Sequence, residues 1–263
     1  MDLGLKNKVA LVAAGSRGLG RAVAEELAAE GASLLLCARD AQTLTETAAA
    51  IAETSGAHVL AVPADVTVID DIKRLVDAGI ERFGHIDILV TNAGGPPAGR
   101  FDQLTREQWD AAIKLTLLSA VELARCVLPG MRERRWGRII NITSIAVKQP
   151  VEGLLLSNSL RAGLTGFART LANEVAPEGI TVNNVLPGYT RTERLDELAQ
   201  MMAEKQGISV GEFRGIWEKE IPMARLGEPR ELAATVAFLA SERASYITGT
   251  SVQVDGGWIR SLL

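Results

Sequence analysis

Several residue types are scarce in this chain, and each scarcity removes a class of function. Only two cysteines, Cys37 and Cys126, occur in 263 residues. Both lie in apolar surroundings without metal-like spacing, so buried free thiols are expected and no metal site is. The two histidines, His58 and His85, fall at a strand start and in a turn and draw no catalytic expectation. Aromatic residues make up 4% of the chain, with two tyrosines, Tyr189 and Tyr246. No apolar run approaches the ~18 residues of a membrane span. The opening Met-Asp-Leu-Gly-Leu-Lys has neither the basic nor the apolar region of a secretory leader. A soluble, cytoplasmic protein is the expectation. Positive charge is short as well: the net charge is −4 and the pI about 5.4. That balance argues against nucleic acid or an anionic membrane as partner. The densest basic cluster, Arg132, Arg134, Arg135 and Arg138, reads as a solvated last helical turn favoured by the helix dipole.

What is present begins with Lys8–Gly20. Val9–Val12 is a short apolar run suited to a buried strand. It enters a turn holding Gly15, Ser16, Arg17, Gly18, Leu19 and Gly20. A helical pattern follows, with Leu19, Val23 and Leu27 on one line and Glu25, Glu26 and Glu30 off it. Strand, glycine turn and helix together set backbone N–H groups and a positive helix end against a pyrophosphate. A Cβ would block that approach.

Strand and helix patterns then alternate. Strands are expected at Ser33–Cys37, His58–Val62, Ile86–Val90, Gly137–Thr143, Ile180–Leu186 and Ser251–Val254. Helices are expected at Ala41–Ser55, Val68–Phe83, Arg106–Arg134 with a break near Pro129, Leu154–Val175 and Pro229–Ala240. The alternation implies an α/β fold, a doubly wound parallel sheet (Rossmann type) with helices on both faces. With 47% hydrophobic residues and no linker or repeat, residues 1–263 read as a single domain. The polar segment 191–220 interrupts the rhythm. Leu195, Leu198 and Met202 form one helical face there, and the segment is either a surface insertion or a lid over a substrate pocket, with the lid favoured.

Beyond the glycine turn stand, in order, Asp65-Val66, Thr91-Asn92-Ala93-Gly94, Asn141-Ile142-Thr143-Ser144, Pro187-Gly188 and Val254-Asp255-Gly256-Gly257, and together they resemble the short-chain dehydrogenase/reductase family over almost the whole chain. Asp65-Val66 resembles the family's adenine-contacting pair. Thr91-Asn92-Ala93-Gly94 resembles its Asn-Ala-Gly turn, and Asn141-Ile142-Thr143-Ser144 the strand bearing its active-site serine. Pro187-Gly188-Tyr189-Thr190-Arg191-Thr192 resembles the Pro-Gly segment beside the nicotinamide, and Val254-Asp255-Gly256-Gly257 the typical ending. The resemblance implies a nicotinamide cofactor and a homotetramer or homodimer built on the long middle helices and the last strand. NADP(H) is favoured over NAD(H), because the second strand ends Cys37-Ala38-Arg39 with Ala38 near the expected acidic position, and Arg17 adds a second guanidinium. Asp40 is open to two roles, neutralising Arg39 or capping the next helix.

The chain also departs from the family pattern. Ala13 and Ala14 stand where Thr and the first Gly are usual, with Gly15 expected to supply the backbone freedom one residue later. Ser157 and Arg161 align with the tyrosine and lysine of Tyr-x-x-x-Lys, and Thr116 with the assisting asparagine. Only Ser144 is unchanged. Serine is a far weaker acid than a tuned tyrosine. Lys148, if desolvated, and Tyr189 are the candidate replacement proton donors. The leading expectation is hydride transfer between nicotinamide and a small carbonyl or alcohol, with Ser144 polarising the carbonyl and Arg161 orienting the cofactor ribose. The competing expectation is a nucleotide-binding sensor or assembly protein with little turnover.

Overall fold

Apolar runs as short as Ile88–Thr91 are buried on both faces only when helices cover the sheet twice, and the alternation supplies those helices. A computed structural model describes residues 2–262; Met1 and Leu263, the ends of the expected domain, lie outside the described residues. The strands are β1 (Val9–Ala13), β2 (Ser33–Ala38), β3 (Val59–Pro63), β4 (Ile88–Thr91), β5 (Gly137–Ile142), β6 (Ile180–Pro187) and β7 (Ser251–Val254). They form one parallel sheet in the order β3-β2-β1-β4-β5-β6-β7. The order reverses between β1 and β4, which opens a crevice at their C-terminal ends.

The helices are α1 (Gly18–Ala29), α2 (Ala41–Ser55), α3 (Ile69–Phe83), α4 (Arg106–Ile113), α5 (Ser119–Arg134), α6 (Leu155–Val175), α7 (Glu193–Gln206), α8 (Val210–Glu220) and α9 (Pro229–Ala240). Successive strand residues point to opposite faces. Val12, Leu34 and Leu36 share a core with Val23 and Leu27 of α1, Leu44 of α2 and Leu232 of α9. Leu11, Leu35 and Leu89 share another with Leu75 of α3, Leu123 of α5 and Leu171 of α6.

Two expectations need correction. The long helix at 106–134 is not broken at Pro129, which lies inside α5; it changes instead at a π-helical stretch, Lys114–Leu118. There the Ser119 hydroxyl donates to the Leu115 carbonyl at 2.5 Å. The basic cluster is not uniformly solvated either. Arg132 pairs with Glu178 and Arg135 caps onto the Pro177 carbonyl, but Arg138 is only 2% exposed. It is an inward-facing residue of β5, with its guanidinium 4.3 Å from the Trp136 ring centre and facing Glu242 at 3.8 Å.

Candidate functional site

The glycine turn is built on a strained alanine. Ala14 sits at φ 48°, in the left-handed region, whereas Gly15 does not. The expectation that Gly15 would supply the missing freedom is therefore corrected. Gly15 serves close packing instead, since a Cβ there would lie 3.1 Å from the Val12 carbonyl oxygen and 3.2 Å from Leu36 Cδ2. The second left-handed residue of the turn is Gly18, at φ 52°. A Cβ on Gly20 would drive into the Ala14 carbonyl oxygen and come within 2.8 Å of Asn92 Nδ2. The β1 turn and the Asn92-Ala93-Gly94 turn after β4 thus meet across the crevice.

The start of α1 is bare. Arg17 at its N-cap makes no side-chain cap, and no acidic residue lies in its first turn. In contrast, Asp40, Thr105, Thr192 and Ser209 cap α2, α4, α7 and α8. The orphan N–H groups of α1, with Gly18 and Leu19 at its first positions, offer an anion site. The fit to a dinucleotide pyrophosphate rests on this uncapped end. Thr192 lies close by: a Cβ on Gly18 would be 3.5 Å from its Cγ2.

At the end of β2, Arg39 is exposed, and Arg17 Nη2 donates to Thr43 Oγ1 at 3.0 Å. Asp40 is the N-cap of α2, accepting from the Thr43 N–H at 2.7 Å. That bond, with the Thr43 hydroxyl and then Arg17, holds its carboxyl below the usual range. After β3, Asp65 accepts from the Thr67 N–H and hydroxyl, and Val66 is half-buried. Pro187 ends β6. Gly188 packs so tightly against Asp255 that a Cβ would fall 2.7 Å from its Cα, and Thr190 is buried.

The candidate chemical groups separate. Ser144 follows β5, and its Oγ accepts from the Ala146 N–H at 3.0 Å, which leaves its own proton free to be donated. Ser157 and Arg161 lie one turn apart on α6 and are both buried. Arg161 Nη1 donates to the carbonyls of Ile142 and Thr143, each at 3.0 Å, so it braces the strand end that carries Ser144. Burial pushes its pKa down to about 10. Lys148 is exposed, so the desolvation required to make it an acid is missing. Tyr189 stacks on Trp217 with centroids 5.0 Å apart and meets Trp258 edge-on at 5.9 Å. Its burial raises its pKa to about 12.

The segment at 191–220 folds as α7 and α8. Leu195, Leu198 and Met202 pack on a cluster of Phe213, Trp217, Trp258 and Ile145, joined by Tyr189 and Val151. Asn158 was no candidate in the sequence, yet it brackets the loop before α6: its Nδ2 donates to the Val151 carbonyl at 2.9 Å and its Oδ1 accepts from the Val151 N–H at 3.3 Å. Its place one residue after Ser157 was the only available signal. Gly99 N–H also donates to the Gly153 carbonyl at 2.7 Å, and Arg100 pairs with Glu152, tying this loop to the one after β4. Neither free cysteine belongs to the site; Cys37 is buried and Cys126 half-buried.

Comparison with known proteins agrees with this architecture. The model of a family described as enoyl-(acyl carrier protein) reductase matches residues 13–259. The 3-oxoacyl-[acyl-carrier-protein] reductase FabG of Vibrio cholerae is 37% identical over 255 residues, covering 97% of this chain and 98% of that protein. The short-chain reductase protein NovJ of Streptomyces niveus is 35% identical, covering 96% and 94%. The structure of L-sorbose reductase from Gluconobacter frateurii, complexed with NADPH and L-sorbose, superposes with a TM-score of 0.96 at 36% identity over the whole of both chains. Actinorhodin polyketide ketoreductase with NADPH gives 0.93 at 32%, covering 97% and 98%. With this sheet order, this crevice and relatives aligned end to end, the chain belongs to the short-chain dehydrogenase/reductase family of oxidoreductases.

Proposed function

We propose that the protein is an NADP(H)-dependent reductase or dehydrogenase of a small carbonyl or alcohol substrate, working with an altered acid–base apparatus. The observation that carries this reading is the uncapped start of α1, facing the Asn92 turn and Thr192 across the crevice. Gly15, Ser16, Gly18, Leu19 and Gly20 would hold the pyrophosphate, Asp65 and Val66 the adenine, and Asn92, Ala93 and Gly94 the adjoining ribose. Pro187, Gly188, Thr190 and Thr192 would flank the nicotinamide. Arg17 and Arg39, with Asp40 occupied as a helix cap, leave two guanidinium groups for a 2′-phosphate, which favours NADP(H). The bound cofactor supplies or accepts the hydride.

In the reducing direction, Ser144 donates its free O–H to the substrate oxygen and stabilises the negative charge that develops there. Ser157 and Arg161 stand in place of the family's tyrosine and lysine. Arg161 acts by holding the Ile142–Thr143 backbone, and hence Ser144, in position. The proton that completes the alcohol comes from water, because Lys148 is exposed and Tyr189 is a weaker acid than an ordinary tyrosine. The α7–α8 segment is the lid, and residues 1–263 act as one domain. The chain pairs with copies of itself; β7 is an edge strand, and Tyr246 and Phe238 present apolar surface in that region.

Specific support for a second reading, a nucleotide-binding sensor with little turnover, comes from Arg161, whose Nη1 is spent on backbone carbonyls. One experiment separates the two: NADPH oxidation over a carbonyl panel, with NADPH and NADH binding titrated in the same preparation. Tight NADPH binding with turnover supports the enzyme. Binding without turnover across the panel supports the sensor, and binding of neither nucleotide refutes both.

A further inference from the structure

The α7–α8 segment is an excursion with a closed base. Arg191 N–H donates to the Gly227 carbonyl and Gly227 N–H to the Tyr189 carbonyl, each at 2.9 Å, so the chain leaves and returns through one short bridge. Among the described residues, none between 191 and 226 belongs to either core on the two faces of the sheet. Ala199, Ala203, Phe213 and Trp217 are buried instead in a third cluster. Among the described residues, three buried members of that cluster come from outside the excursion: Ile145, Trp258 and Ile259. Two of those three belong to the C-terminal segment. We propose that residues 255–260, with Trp258 at their centre, are a latch that holds α7–α8 against the body of the protein. That the latch holds a lid over substrate rests on the reading above.

The latch is shaped by its own backbone. Asp255 accepts from the Gly257 N–H at 3.0 Å through Oδ1 and from the Ile259 N–H at 2.9 Å through Oδ2, which turns the chain. Gly256 and Gly257, at φ 64° and 87°, take the left-handed positions of that turn. A Cβ on Gly256 would stand 2.7 Å from Ile221 Cγ2, just past the end of α8. The Gly256 carbonyl also accepts from the Met223 N–H at 3.2 Å. The turn is thus seated on the returning end of the excursion and delivers Trp258 beside it.

Trp258 joins the two parts through one side chain. It is 9% exposed, its ring meets Tyr189 edge-on at 5.9 Å, and its Nε1–H donates to Glu220 Oε2 at 3.4 Å. Tyr189 lies before the closing bridge and Glu220 within the excursion. Two residues further on, the Arg260 N–H donates to Gln149 Oε1 at 3.4 Å, which ties the segment to the loop beyond Ser144. The stack of Tyr189 on Trp217 is a second link, but Tyr189 is only half-buried and its ring is itself braced by Trp258. A buried tryptophan at such a junction contributes a large share of the contact area. A unit with its own apolar cluster opens as a unit once that contact is removed.

Hydrogen exchange of the full chain, read peptide by peptide by mass spectrometry, tests the latch without cofactor or substrate. In Trp258→Ala, the amides of α7 and α8 should exchange at least about tenfold faster, while those of β1, β5 and α1 stay within about twofold. Trp258→Phe keeps an aromatic ring against Tyr189 and should restore most of the protection. Unchanged exchange in α7 and α8 would overturn the proposal, since the Tyr189–Trp217 stack would then hold the segment unaided. Equal acceleration along the whole chain would overturn it too, because Trp258 would then be an ordinary core residue. If Trp258→Ala does not fold, Ile259→Ala, which truncates the other buried side chain of the segment, is read in the same way. The nucleotide titration is independent of this readout, so failure of the latch and failure of the enzyme reading are separate results.

Discussion

Replacing Ala14 with glycine should make the protein more stable, against the usual direction of such changes. Ala14 is held at φ 48°, where an L-residue pays roughly 1–2 kcal/mol. Glycine removes that cost but gives the unfolded chain more freedom, which takes back about 0.4–1 kcal/mol. The net gain is about 0.5–1 kcal/mol, or roughly 1–4 °C in Tm for a chain of this size. The conformation is fixed from both sides: Gly15 N–H donates to the Cys37 carbonyl at 3.0 Å, and the Ala14 carbonyl oxygen lies against Gly20. Urea and thermal unfolding of the single variant suffice, and the midpoint should rise with the m-value unchanged. Gly20→Ala is the control. Its Cβ would meet backbone rather than a flexible side chain, so a loss above about 2 kcal/mol is expected. A neutral or destabilised Ala14→Gly would refute the reasoning, since it would mean that the methyl group contributes more packing than the strain costs.

The remaining predictions address charge and chemistry. Arg17→Ala and Arg39→Ala should each weaken NADPH binding by about 5- to 30-fold while leaving NADH within twofold, as followed by nucleotide fluorescence. Equal losses for both nucleotides would place the arginines elsewhere than at the 2′-phosphate. Glu231 is held at about 2, first by the Arg225 guanidinium and then by the Glu228 N–H. A depressed carboxylate stabilises the fold above its unfolded value and loses that contribution as pH falls through the folded one. The Tm difference between wild type and Glu231→Gln should therefore be constant near neutrality and shrink between about pH 4.5 and 2; a constant difference throughout would contradict it. Tyr189, raised to about 12 by burial, stabilises below about pH 10 and loses this between 10 and 12. Tyr189→Phe should keep the Trp217 stack, remove that alkaline loss and retain turnover within about twofold. A 100-fold loss of kcat would identify Tyr189 as the proton donor after all.

Much of the fold was legible because it is set locally. Val9–Val12, the glycine turn and the Leu19, Val23, Leu27 line specify β1 and α1 within twenty residues, and the crevice follows from alternation and sheet order. The candidates for the cofactor site lie in the turns that follow the strands and, at Gly18–Gly20, in the first turn of α1, where sequence order places them. The illegible parts depend on residues far apart in the chain. Arg138 is buried by Ser241 and Glu242, about a hundred positions away, so its place in a basic cluster misled. Tyr189 and Trp258 come from the loops after β6 and β7 and Trp217 from α8, and the three gave no common pattern. Ala14 gave no signal either, because alanine commonly marks ordinary backbone and its left-handed turn is imposed by the neighbours.

On the proposed reading, the same division lets the scaffold of the site stand while the proton chemistry differs. The proposed pyrophosphate end of the crevice is made largely of backbone: uncapped N–H groups at α1, the turn after β1 and the turn after β4. Side-chain replacements on α6 leave those groups where they are. At the other end, position depends on one side chain, because Arg161 ties Ile142 and Thr143 to α6, and Ser144 follows directly. A lysine there has one ammonium in place of a planar fork and would not reproduce the same geometry. Restoring the pair as Ser157→Tyr with Arg161→Lys therefore adds an acid and removes a brace at once. Only a comparison with Ser157→Tyr alone separates the two effects. If the brace matters, the single variant gains more reductase rate than the double, whereas a larger gain in the double variant would mean that Ser144 is held without Arg161.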